Sequence, residues 1–171
     1  DPKSTTCVVY GKGGHGSEGH GNHDAGQICI DSYGKRLITD PGSPPGYPAD
    51  FFGENRYEYY NASVLGHNVL MFDQEEMLRQ KNDTARIVAS EFTDKKGGWW
   101  QIDLTKLYSG VHEVTRTVVY LIPNTVVVYD SASLKRNSEA SLRWHVACEP
   151  DWSADGRFGV LNSDGGIDCC V

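Results

Sequence analysis

Apolar and polar positions along this chain alternate in short runs separated by turn residues, which is the pattern of antiparallel β-structure. The clearest case is the run His112-Glu-Val-Thr-Arg-Thr-Val-Val-Tyr-Leu-Ile122, followed by Pro123-Asn124 and then Thr125-Val-Val-Val-Tyr129. Two β-branched, alternating runs joined by two turn residues predict a long hairpin. A second hairpin is predicted within residues 20–40, where two short apolar runs flank Tyr33-Gly34-Lys35. Shorter strand signals fall at residues 6–10 (an edge strand), 69–73, 85–92, 99–104 and 142–146. Strands at near-regular spacing predict an all-β fold, a sandwich of antiparallel sheets.

Between the strands lie segments of other character. Residues 11–21 are rich in glycine and read as a loop able to approach a ligand closely. This loop is not set between a strand and a helix, so a phosphate-binding loop is rejected. The run Pro41-Gly-Ser-Pro-Pro-Gly-Tyr-Pro48 cannot be regular structure. Residues 50–65 are aromatic and polar with poor periodicity, with room for a helical turn, and long irregular segments in compact domains tend to be functional. Residues 75–83 read as a charged surface excursion. The sequence has no long amphipathic helix and no internal repeat.

At 171 residues the chain fits one domain, residues 1–171, with enough length to bury a core. A formal charge of -7 argues against nucleic-acid binding and would repel an acidic polymer unless a local positive group receives it. No apolar stretch is long enough to span a membrane. The termini read as those of a piece of a longer protein. The five cysteines (positions 7, 29, 148, 169 and 170) form neither a disulfide framework nor a Cys-x-x-Cys zinc pattern, and Cys29 reads as a small buried residue. Asn61-Ala-Ser63 and Asn82-Asp-Thr84 are glycosylation sequons.

The chemistry sits at the ends of the 20–40 stretch. His20, Asn22, His23, Asp24 and Asp40, joined by His67, could be brought to one pocket by the hairpin. Imidazole and carboxylate suit zinc. If the segment around residue 22 is extended, His20, Asn22 and Asp24 share one face and His23 takes the other. The same imidazoles suit proton transfer near neutrality, and tyrosines of residues 50–65 could protonate a leaving oxygen. Arg56 and Arg116 could hold a carboxylate bidentately, although a structural ion pair is as good a reading of Arg116. No Gly-x-Ser-x-Gly elbow supports a serine nucleophile.

The ordered set Gly19-His-Gly-Asn-His-Asp-Ala-Gly26, Leu37-Ile-Thr-Asp-Pro-Gly42 and Gly66-His-Asn-Val-Leu70 resembles the heparinase II/III-like family of polysaccharide lyases. Tyr108, Arg116-Thr-Val-Val, Val126-Val-Val-Tyr-Asp130 and Trp144-His145 continue the likeness, which covers about residues 7–147. The resemblance implies a two-domain enzyme, a helical toroid followed by an antiparallel β-sandwich, of which this chain would be the sandwich. It implies His20 as the catalytic histidine and Asp40 and His67 as zinc ligands. Tyr57 is implied as the proton-donating tyrosine, with Tyr60 as the fallback. Asn22 stands where the family has the second His of His-x-His, and an amide oxygen is a poor zinc ligand. Either His23 turns inward and substitutes, or Asn22 takes a harder ion, or no metal is held.

The implied reaction is β-elimination on a uronic acid within an anionic polysaccharide. Some catalytic groups would come from the N-terminal helical domain, so this chain alone is expected to have little or no activity. A uronyl C5-epimerase and a non-catalytic carbohydrate-binding sandwich, stacking sugars on Trp99, Trp100 or tyrosines, are the alternatives. The lack of strong basic clusters favours a lightly sulfated or unsulfated polymer. The family's substrates imply a periplasmic or extracellular location.

Overall fold

The alternating runs become strands, and the buried half of each alternation forms the core. The computed structural model describes residues 7–15, 17–80, 82, 84–163 and 167–170. The strands are β1 (Cys7–Gly11), β2 (Ile28–Ser32), β3 (Lys35–Ile38), β4 (Leu70–Phe72), β5 (Arg86–Thr93), β6 (Gly97–Asp103), β7 (Val111–Leu121), β8 (Thr125–Leu134), β9 (Ala140–Leu142), β10 (Pro150–Trp152), β11 (Gly159–Ser163) and β12 (Ile167–Cys170). Every strand pairing is antiparallel. The sheet orders are β1-β2-β3, β5-β6-β7-β8, β4-β9 and β10-β11-β12. Helical structure among the described residues consists of single 3₁₀ turns, and no helix among them is long and apolar enough to cross a membrane.

The four-stranded sheet supplies one wall of the core. Val114, Arg116 and Val118 alternate inward on β7, beside Ile102 of β6, and all four are almost fully buried. Ala25, Val64 and residues 69–72 cover this wall from the other layer. A smaller cluster joins Leu37 and Ile38 of β3 to Leu161 of β11, with Trp144 and Val146 against them. Arg116 ties the layers together. Its Nε and Nη2 donate to the two oxygens of Asp130 on β8 at 2.7 and 2.8 Å. Its Nη1 donates to the carbonyls of Gly26 and Asn68 in the opposite layer at 2.8 and 2.6 Å.

Both predicted hairpins form, and residues 7–11 make the expected edge strand; Thr6, which opened the predicted run, lies outside the described residues. The β2–β3 turn places Tyr33 at φ 48° and Gly34 at φ 75°, the left-handed pair that a two-residue hairpin turn requires. Two expectations need correcting. Residues 142–146 were read as one strand, but β9 stops at Leu142. Beyond it the chain leaves β4 for the end of β3, where Thr39 N–H donates to the His145 carbonyl and Ala147 N–H to that of Leu37. The sheet β10-β11-β12 had no counterpart in the pattern, because its strands are short and interrupted by proline, glycine and aspartate. The sequon at Asn82 includes Asp83, which lies outside the described residues.

Candidate functional site

The segment before β2 is not extended, so the predicted sharing of faces does not hold. Gly21 and residues 23–29 are buried, Asn22 is half-buried, and His20, like residues 17–19 before it, is exposed. His20 adopts φ 62°, a left-handed conformation that costs a non-glycine residue about 1 kcal/mol or more. Its ring lies 4.3 Å from that of Phe52. Behind it sits Arg56, 7% exposed. The Arg56 guanidinium donates to the carbonyls of Gly21 (3.0 Å), Phe51 (3.3 Å) and His20 (2.9 Å), and to Asn22 Oδ1 (2.7 Å). An open pocket of about 90 Å³ is lined by His20, Asn22 and Arg56 together with Tyr47, Phe52 and Asn61.

Asp40 and His67 form a separate, deeper pair. His67 is fully buried, and its Nδ1–H donates to Asp40 Oδ2 at 2.9 Å. Asp40 also accepts from the Gln27 side-chain amide and from Gly42 N–H. Burial pushes the Asp40 carboxyl upward, but the bonds from His67, Gln27 and Gly42 outweigh it and hold the carboxyl at about 2. Such a carboxylate stabilises the fold above its ordinary value of 3.8, and that contribution is lost as pH falls toward 2. Asp40→Asn is therefore expected to destabilise the protein by about 2 kcal/mol at pH 7 and by little at pH 2. Denaturant unfolding at both pH values checks this; an equal loss at both would refute it.

Asn68 carries the network outward. Its side-chain amide donates to the Ile28 and Thr39 carbonyls, so its Oδ1 is fixed as an acceptor. That oxygen receives both the backbone N–H (2.7 Å) and the ring Nδ1–H (3.0 Å) of His145. The tautomer follows: His145 Nε2 is an acceptor, and it receives the Tyr60 hydroxyl at 2.7 Å. Burial first, then the neighbouring His67, pushes His145 below the usual imidazole range, which keeps it neutral near pH 7. Tyr60 is 52% exposed and directly precedes Asn61 of the pocket wall.

His23 belongs to neither group. It is 1% exposed, its Nδ1 meets Glu76 Oε2, and its ring stacks at 3.8 Å on Tyr57. The Tyr57 hydroxyl donates to the Gly21 carbonyl at 3.4 Å, and Arg79 lies 4.7 Å over its ring.

The predicted residues are thus brought together only in part. His20, Asn22 and Arg56 share the pocket; Asp40 and His67 stand behind it as a pair; Tyr60 stands beside it with His145. Arg56 and Arg116 are both candidates for binding substrate, with a structural ion pair an equal reading for Arg116. Each instead spends four donor hydrogens on the protein, and Arg116 is fully buried. Their role in this fold is to hold chain segments together. Gln27, Asn68 and His145 were not singled out for the site. Asn68 and His145 lie inside the motifs that carry the family resemblance, His67-Asn68 and Trp144-His145, but with no role attached, and Gln27 directly follows Gly26 of the first motif.

A zinc site does not fit this donor set. Asn22 Oδ1 already faces a guanidinium, both Asp40 oxygens are engaged, and His23 is turned to Glu76. The Nε2 atoms of His23 and His67 are buried without a hydrogen-bond partner, which would suit a metal. Yet among the described residues no group of three or more His, Cys, Asp or Glu side chains is placed to hold one.

The chain is thus an antiparallel sandwich that presents one exposed imidazole on the wall of a polar, aromatic-lined pocket. The family model for the heparinase II/III-like C-terminal domain matches residues 3–167, and the chain belongs to that family. A crystal structure of heparinase III matches with a TM-score of 0.68 at 16% identity, over 86% of this chain and 22% of that one. The chain therefore spans about a fifth of heparinase III, and the likeness is one of fold. No curated protein matches the chain at comparable significance.

Proposed function

We propose that this chain is the β-sandwich part of a polysaccharide lyase that cleaves a uronic-acid polymer by β-elimination. The observation that carries the reading is the exposed His20 imidazole, held in a left-handed backbone conformation on the wall of the pocket, within a chain of the heparinase II/III-like family. In the reaction the C5 proton, acidified by the adjacent carboxylate, passes to His20. The C–H electron pair becomes the new C4–C5 double bond, and the bond from C4 to the glycosidic oxygen breaks. Tyr60 delivers its hydroxyl proton to the departing oxygen, and the cycle closes when His20 releases its proton to solvent and Tyr60 takes one back. Before substrate arrives, neutral His145 holds that hydroxyl through Nε2. Tyr60 serves this step better than Tyr57, whose ring is clasped between His23 and Arg79.

A helical domain N-terminal to the sandwich closes the pocket and supplies groups that neutralise the substrate carboxylate. The protein works where such polymers occur, outside the cytoplasm. The test is to incubate the full-length protein with a panel of uronic-acid polysaccharides and follow the ultraviolet absorbance of the unsaturated uronide. Tyr60→Phe is expected to lower the rate by about 10²–10⁴-fold, and Tyr57→Phe by far less. The reverse ranking would transfer the proton donor to Tyr57. Binding with no absorbance rise on any polymer would favour a carbohydrate-binding module. Exchange of the C5 proton with solvent in the absence of cleavage would favour an epimerase.

A further inference from the structure

Three consecutive residues of the His20 segment aim their acceptors at one side chain. The carbonyls of His20 and Gly21 and the Oδ1 of Asn22 lie 2.9, 3.0 and 2.7 Å from Arg56 nitrogens. The Phe51 carbonyl is a fourth acceptor. The guanidinium packs on the rings of Phe51 and Phe52, at 4.6 and 5.0 Å, and Phe52 in turn meets the His20 ring. A histidine at φ 62° does not hold that conformation alone; the surroundings must over-determine it. Here the backbone carbonyl of His20 is drawn inward to Arg56 while its imidazole remains outside.

We propose that Arg56 is the positioning residue for His20, and that its planar fork makes the His20 loop independent of a bound metal. The inference rests on the reading of His20 as the proton acceptor. It accounts for Asn22 at a position where an imidazole would be the metal ligand. An amide oxygen accepts readily from a guanidinium, whereas a divalent cation at the same oxygen would stand beside the Arg56 charge, with a guanidinium nitrogen already 2.7 Å away. Arg56 meets no carboxylate in these bonds, so its charge is offset by carbonyl dipoles, an amide oxygen and two ring faces. A lysine cannot reproduce this, because an ammonium is a point donor on a flexible stem and cannot span acceptors contributed by two chain segments.

The experiment is peptide-level hydrogen exchange on the full-length protein, with and without a strong chelator and as the Arg56→Lys variant, alongside a zinc determination on the untreated protein. The expected results are zinc well below one per chain and no effect of the chelator on exchange around residues 20–22. In Arg56→Lys, exchange at that segment should rise tenfold or more, while β6 and β7 keep their protection. Turnover should fall at least tenfold with KM nearly unchanged. Stoichiometric zinc, or a chelator that loosens the loop of the unaltered protein, would overturn the proposal even if Arg56→Lys does not fold. Unchanged protection of residues 20–22 in a folded Arg56→Lys protein would also overturn it. The exchange readout does not depend on turnover. If the loop loosens as expected but His20→Ala keeps full activity, Arg56 still fixes the loop and the role of His20 as proton acceptor falls.

Discussion

Replacing Arg116 with methionine is expected to destabilise the protein by about 3–5 kcal/mol, the range for breaking a buried ion pair by removing one partner. For a domain of this size that corresponds to a fall in melting temperature on the order of 10 °C. The effect is large because the substitution leaves three acceptors behind. Asp130, whose side chain is 14% exposed, loses both hydrogen bonds to the guanidinium. The carbonyls of Gly26 and Asn68 lose theirs as well. Two of these acceptors belong to the layer that carries the candidate site, so the loss should loosen the start of β2 and the entry to β4. Thermal unfolding of Arg116→Met and of the double variant Arg116→Met with Asp130→Leu checks the cause. The double variant should be more stable than the single one, since it removes the stranded charge. If both melt with the unaltered protein, the bridge is not a stabilising element.

His20→Ala is expected to lower turnover by about 10²–10⁴-fold, the usual contribution of a positioned acid or base, and to leave the melting temperature nearly unchanged. The two halves of this prediction have one structural origin. The imidazole is exposed and packs its ring on Phe52, so its removal should open no buried cavity. The bond that ties the residue to Arg56 comes from its backbone carbonyl and survives the substitution. Alanine at φ 62° is about as strained as histidine, so the loop should keep its course. A large loss of stability would instead place His20 among the supports of the fold.

Much of this was legible in the sequence, and the failures have physical causes. The β7–β8 hairpin was readable because its inward positions alternate strictly and one face meets the core. The β2–β3 turn was readable because Gly34 supplies the required left-handed backbone. The course of residues 143–147 was not, since it depends on Asn68, far away in sequence, capturing His145 from the side. The site was legible in its residue types and not in its grouping. His20, Asp40 and His67 were expected in one cluster, but burial separates them. Buried His67 turns its Nδ1 to half-buried Asp40, and His20 is held out by an arginine that composition alone could not assign. By residue type Arg56 and Arg116 both suit a substrate carboxylate, and for Arg116 the equally good reading, a structural ion pair, is the one that forms, with Asp130. The same fork geometry serves equally well to gather carbonyls from distant segments.

The most direct test of the lyase reading is the formation of the C4–C5 double bond by the full-length protein and by its His20→Ala variant. Both would be followed by ultraviolet absorbance on the uronic-acid polymer that gives the fastest rise. The account predicts a steady rise with the unaltered protein and a rate about 10²–10⁴-fold lower with the variant, at equal melting temperature. A rise of equal rate from a folded His20→Ala protein would contradict it.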